Sequence, residues 1–274
     1  MIKNSFYAAF ILAIGIFKSN GQDLSELLMK EAVKIDNIDS LDCNIYKILA
    51  HYRIIMVGEI HGTNEPIGLV ENLVELFNKN GDSVQVGFEI EPKQMKAFLK
   101  QKTEGNIIKS DFFQSPSGDG RASFAWYKTI ANLNANKMVK IFFFDYNFNP
   151  FAQTNRDSIM YVNIKSQIKK KRTWRTITIC GGIHNRIKPH EEEQKMGWYL
   201  INDKELNFKD SMCSLIHEFE SGETLWNKFN PMPSAYTKIP YDKYIFFYPK
   251  SMNEPYHGIY FTRYLTKSES AISK

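Results

Sequence analysis

The chain has 274 residues, 43% of them hydrophobic and 24% charged, with a formal net charge of +5. That length suits one substantial domain with a proper core, and so modest a positive excess makes no case for nucleic-acid binding on charge alone. Its three cysteines, Cys43, Cys180 and Cys213, do not indicate a disulfide framework.

Residues 1–21 follow the plan of a secretory signal peptide: basic Lys3, an apolar stretch over 6–17, then the small residues Ser19 and Gly21. The apolar stretch is short for a membrane span, and no cysteine follows it closely enough for lipid attachment. Cleavage after Gly21 is expected, with an uncleaved anchor as the alternative; it would remove Lys3 and Lys18 and leave residues 22–265 as a single domain. The expected location is therefore exported, periplasmic or secreted, with no stable membrane span.

Apolar residues at helical spacing predict a helix over 23–34, with Asp23 as N-cap, and a short one over 42–50. The run Ile54, Ile55, Met56, Val57 is too short for a helix of its own and stops at Gly58, so it reads as a buried strand. Glu59 and His61 follow it. In extended backbone these i and i+2 residues share a side, which puts a carboxylate beside an imidazole at the strand's exit. A helix over 65–80 comes next, capped by Thr63 or Asn64, stopping at Asn80-Gly81 and offering its first amides to an anion.

Residues 84–91, VQVGFEIE, make a second apolar run, ending in Glu89 and Glu91. Pro92 begins a helix reaching about residue 100. Residues 103–123, rich in Gly and Ser, form a loop of the kind that serves as a lid or binding segment; its Phe112 and Phe113 either close over a pocket or simply pack. A helix over 124–135 leads to a third strand, 139–146, ending at Asp145. In the helix over 155–171, Ile159, Val162, Ile164 and Ile168 give an apolar stripe. Asp157 suits the helix dipole, whereas Arg156 in the first turn opposes it and so invites a functional role. The cations Lys169, Lys170, Lys171, Arg172 and Arg175 read as a solvated helix end.

A fourth apolar run, 176–184, ends in two glycines and His184. The segment 188–195, KPHEEEQK, reads as a solvated loop or helix start. Strands are expected over 198–201 and 244–248, and a closing edge strand over 258–265. Residues 266–274 form a polar tail, expected to fray. The whole describes a single α/β domain whose mostly parallel central sheet is flanked by helices, and polar residues converge where its strands end.

Four motifs occur in order: GEIHGT at 58–63, FEIE at 88–91, NRDSIMYVNI at 155–164 and GGIHN at 181–185. Together they resemble the superfamily that joins ChaN-like haem-uptake proteins, erythromycin-esterase-like hydrolases and Tiki-type metalloproteases. The resemblance spans 54–185 and implies that fold, with Glu59, His61, Glu89, Arg156 and His184 lining the site. The spacing G-E-I-H is closer to the ChaN-like branch than the G-E-x-x-H of the esterases, and the large helical insertion of full-length erythromycin esterases is missing.

Such a set suits hydrolysis. A histidine held by a carboxylate can take a proton from water as it attacks an ester, amide or related bond. The roles expected are His61 as general base, Glu59 or Glu89 as its orienting partner, His184 as second acid/base or substrate ligand, and Arg156 or helix amides as oxyanion stabilisers. No G-x-S-x-G is present, which favours direct attack by water on a small-molecule or peptide substrate. The same Glu59, His61, Glu89 and His184 are the donors a zinc or manganese ion would use. The ChaN-like branch implies instead a non-enzymatic haem- or iron-uptake binder, for which Met160, Tyr146, Tyr161 and His257 are the available axial ligands.

Overall fold

The computed structural model describes residues 24–35, 43–94, 109–114, 120–146, 155–225, 227–231 and 234–273. The expected signal peptide, Asp23 and Asp42 lie outside them, as do residues 95–100 of the helix expected after Pro92. Of that helix, one 3-10 turn, Pro92–Gln94, is described.

The helices are α1 (Leu24–Glu31), α2 (Cys43–Leu49), α3 (Glu65–Lys79), α4 (Asp111–Gln114), α5 (Phe124–Ala135), α6 (Arg156–Lys170) and α7 (Met196–Ile201). The strands are β1 (Val33–Lys34), β2 (Ile54–Glu59), β3 (Val84–Phe88), β4 (Val139–Phe143), β5 (Arg175–Gly181), β6 (Met212–Glu223), β7 (Lys228–Phe229), β8 (Lys243–Phe247) and β9 (Gly258–Leu265). They form one sheet in the order β1-β8-β9-β6-β2-β5-β3-β4, with β7 on β6. From β9 to β4 every pairing is parallel, while β8 and β1 join antiparallel.

The apolar run of β2 is continuous because both its faces are covered. Ile55 and Val57 enter a core shared with α3 and α5, whereas Ile54 and Met56 enter one shared with α6 and α7. A third cluster lies under α1, around Ile216, Tyr244, Phe246 and Phe261. α6 is capped by Asn155, whose side chain accepts from the Ser158 amide at 3.2 Å.

Several expectations are corrected. Residues 198–201 are helical, since α7 buries Met196 and Leu200, four apart, against the second core. β9 has the expected bounds but lies inside the sheet, between β8 and β6, and is not an edge. β6, the longest strand, has no clear signal in the sequence because His217, Glu218 and Glu220 break its apolar run. The tail expected to fray is docked, with Lys267 bridging Thr63 and Ser270 bridging Ser123, and Ser268 and Ala271 buried. Phe113 belongs to the main core and is no lid. Cys180 and Cys213 are free and buried. No helix among the described residues is long and apolar enough to cross a membrane.

Candidate active site

Register brings the site together. Glu59, the last residue of β2, pairs with Gly181 at the end of β5, while Phe88 of β3 pairs with Ile179 and Phe143. Glu59, Glu89, Asp145 and the turn Gly182–Asn185 therefore emerge together at the carboxyl ends of four adjacent parallel strands, where open α/β sheets bind ligands.

His61 and Glu59 meet as their spacing predicts. The His61 Nδ1–H donates to Glu59 Oε1 at 2.7 Å, from a carboxylate that is 3% exposed. Burial alone would lower the imidazole's pKa, but the bond to Glu59 and the charges of Glu59 and Glu89 raise it above its usual 6.5. Glu59 is thus the carboxylate that holds His61; Glu89 is not. Oε2 of Glu59 has no hydrogen-bond partner among the described residues.

Glu89 instead anchors two arginines. Its Oε1 accepts from Arg156 Nη2 at 2.5 Å and lies 3.0 Å from Arg121 Nη1, and its Oε2 accepts from the Gly181 amide at 2.7 Å. Burial opposes the charge, yet Arg121, His61, His184 and Arg156 together pull its pKa down to about 2. Asp145 completes the frame, accepting from Arg156 Nε at 2.8 Å and Nη2 at 2.9 Å, a bidentate clamp that fixes the guanidinium plane. The Arg156 side chain stays 41% exposed, so its charge remains available to a ligand.

A second histidine–carboxylate pair faces the first. His184 Nδ1–H donates to Asp157 Oδ1 at 2.7 Å, and its Nε2 lies 3.4 Å from Arg156 Nη1. Asp157 also accepts from the Met196 amide at 2.9 Å, so the start of α7 holds it in place. Between the two imidazoles lies Gly181. A Cβ there would sit 3.1 Å from His61 Nε2 and 3.7 Å from His184 Cδ2, so a side chain would crowd the space the rings share.

Of the expected residues, Glu59, His61, Glu89, Arg156 and His184 all converge. Three further residues join them. Arg121 follows Gly120, whose backbone packs so closely on the His61 loop that a Cβ would lie 2.4 Å from the Gly62 amide. A lone arginine in a Gly- and Ser-rich loop carried no usable signal. Asp145 could have been read from its place at a strand end. By sequence Asp157 suits the helix dipole, and only its meeting with His184 gives it a site role.

At the start of α3 the buried Glu65 is tied to the C-terminal segment: its Oε1 accepts from the Thr266 amide at 2.7 Å and the Thr266 hydroxyl at 2.5 Å. In the 188–195 segment, Lys195 is drawn in to pair with Glu193 and lies 4.0 Å from Asp157, while Glu191 and Glu192 remain exposed.

The donor set does not fit a divalent metal. No three His, Cys, Asp or Glu among the described residues are placed to share one ion. Both oxygens of Glu89 are taken by arginines and an amide, and the guanidinium beside His184 would repel a cation. Three of the four candidate haem ligands are taken up by the fold: Met160 is fully buried, the Tyr161 hydroxyl donates to Asp203 at 2.6 Å, and His257 Nδ1 accepts from the Ser214 amide at 3.0 Å.

No family model matches the sequence, and comparison with curated proteins finds no match. Solved structures do match. A Bacillus cereus protein superposes with a TM-score of 0.67 at 11% identity, over 90% of this chain and 98% of its own. A succinoglycan biosynthesis protein gives 0.62 at 10% identity, over 91% and 100%. An erythromycin esterase in its open conformation gives 0.59 at 9% identity, over 86% and 98%. The chain therefore has the erythromycin-esterase-like α/β fold, as its ordered motifs implied.

Proposed function

We propose that this protein is a hydrolase that activates water with His61 against an ester, amide or related bond of a small-molecule or peptide substrate. The observation that carries this reading is the pair of imidazoles facing each other over Gly181, each fixed through Nδ1 by a buried carboxylate, beside the partly exposed Arg156.

Because Glu59 holds the Nδ1–H of His61, the lone pair of the neutral ring is on Nε2, facing the open side of Gly181. Water positioned there gives its proton to Nε2 as its oxygen bonds to the carbonyl carbon. The negative charge that develops on the carbonyl oxygen falls within reach of Arg156, which Asp145 and Glu89 hold in one orientation before substrate arrives. Collapse breaks the bond to the leaving group, which takes the proton back from His61. Asp157 keeps His184 in the tautomer that directs Nε2 toward the same space.

The test is a panel of ester and amide substrates run on the purified protein, its His61→Ala variant and its His184→Ala variant. Turnover abolished by His61→Ala, with both variants folded, supports the assignment. Turnover that survives it, or a haemin titration that saturates at fixed stoichiometry with no hydrolysis of any substrate, would overturn it.

A further inference from the structure

β6 continues beside β9 as far as Gly222, but its pairing with β2 stops at Ile216. Residues beyond that point flank the space past the end of β2, next to the turn that carries His184. Ile216 and Tyr256 form the boundary: Ile216 Cδ1 lies 2.3 Å from where a Cβ on Gly182 would be, and the Tyr256 hydroxyl donates to the Gly182 carbonyl at 3.2 Å.

On the same face of β6, two residues after Ile216, stands Glu218. It is half-buried, and its carboxylate has no hydrogen bond or ion pair among the described residues. Its neighbours on the site side differ: Glu59 has His61, Glu89 has two arginines, and Glu220, on the same strand face, has Arg263. Around Glu218 stand phenols. The turn Tyr236–Lys238 packs on this region, and Tyr236 and Tyr248 share a hydrogen bond of 2.8 Å between their hydroxyls. Tyr236, Tyr248 and Tyr256 all pack on the apolar cluster that holds Ile216, two residues before Glu218 on the same strand face, and the charge of Glu218 adds to burial in raising their pKa values. All three are half-buried. The guanidinium at this wall, Arg186, lies over the Tyr256 ring at 5.8 Å and makes no ion pair with Glu218.

We propose that Glu218, framed by Tyr236, Tyr248 and Tyr256, binds an organic ammonium group. A desolvated carboxylate without a counter-ion is stabilised by a cation and not by a neutral group. Aromatic faces and phenol oxygens around it favour a bulky, weakly hydrated ammonium, through cation–π attraction and N–H···O bonds. Glu254, whose charge also acts on Tyr236 and Tyr248, has Lys188 and Arg186 to offset it, and one remaining carboxylate with three phenols offers too few hard oxygens for a divalent metal. That the ammonium belongs to the molecule being hydrolysed rests on the hydrolase reading; the binding itself does not.

Isothermal titration of the full chain near pH 8 and at low salt, with tetramethylammonium and n-butylammonium, tests this. Neopentyl alcohol and n-butanol serve as neutral counterparts. Saturable binding of at least one ammonium, absent for its neutral counterpart and about tenfold weaker in Glu218→Gln, is the expected result, since a charge-assisted contact becomes a neutral one. No saturation, equal binding of the alcohols, or an unchanged affinity in Glu218→Gln would overturn it. The wild-type comparison of cation with alcohol needs no variant, and no outcome depends on hydrolysis.

Discussion

Replacing Glu89 by glutamine removes the charge on which the two arginines of the site are built. The buried carboxylate accepts from Arg156, Arg121 and the Gly181 amide, and its pKa falls from 4.5 to about 2 in the folded protein. A depressed acid pKa means that the unfolded chain binds more protons between those values, so stability rises with pH across that window. The contribution is complete above the unfolded value and is lost as pH falls through the folded one. A fall from 4.5 to about 2 is worth roughly 3 kcal/mol near neutrality and about 2 kcal/mol near pH 3.5. Urea denaturation of wild type and Glu89→Gln at both pH values is the assay. The wild-type advantage should be about 3 kcal/mol near pH 7 and shrink by about a third near pH 3.5. A difference below about 1 kcal/mol, or one that does not change with pH, would refute the placement of Glu89 as a charged anchor.

Glu218 should show the opposite dependence. Burial raises its pKa from 4.5 to about 7, so the folded state holds the extra proton in that window and wild type loses stability as pH rises through it. Glu218→Gln should therefore be more stable than wild type by roughly 2 kcal/mol near pH 8, after discounting for solvent access, and about equal to it near pH 4; equal midpoints at both pH values would count against a desolvated carboxylate. Glu59→Gln should weaken hydrolysis and move the acid limb of the rate–pH profile to lower pH, because Glu59 raises the pKa of His61; an unmoved limb would mean that another group is the base. Deleting residues 266–274 should lower turnover and expose the His61 loop to proteolysis, since Ser268 donates to the Gly62 carbonyl at 2.9 Å and Phe124 to the Glu269 carbonyl at 2.8 Å. Unchanged turnover and protease resistance would show those loops to be self-supporting.

Much of this protein is legible in its sequence, because its information is local. Apolar runs buried on both faces, such as 54–57 and 84–88, can only be interior strands of a covered sheet, and the polar residue ending each run is delivered to the site by a parallel register. Glu59 and His61 meet because they are two positions apart at a strand's exit, with only Ile60 between them. Tertiary structure decided the rest. Four apolar residues at 198–201 fit either period, and only packing against the second core makes them helical. β6 hides its strand character because residues that do not suit a core, Glu218 among them, face the space beyond the end of β2. Which carboxylate serves which cation is a matter of distances between segments far apart in the chain. Glu59 took His61, Asp157 took His184, and Glu89 took Arg156 together with Arg121 from a loop that shows no pattern of its own.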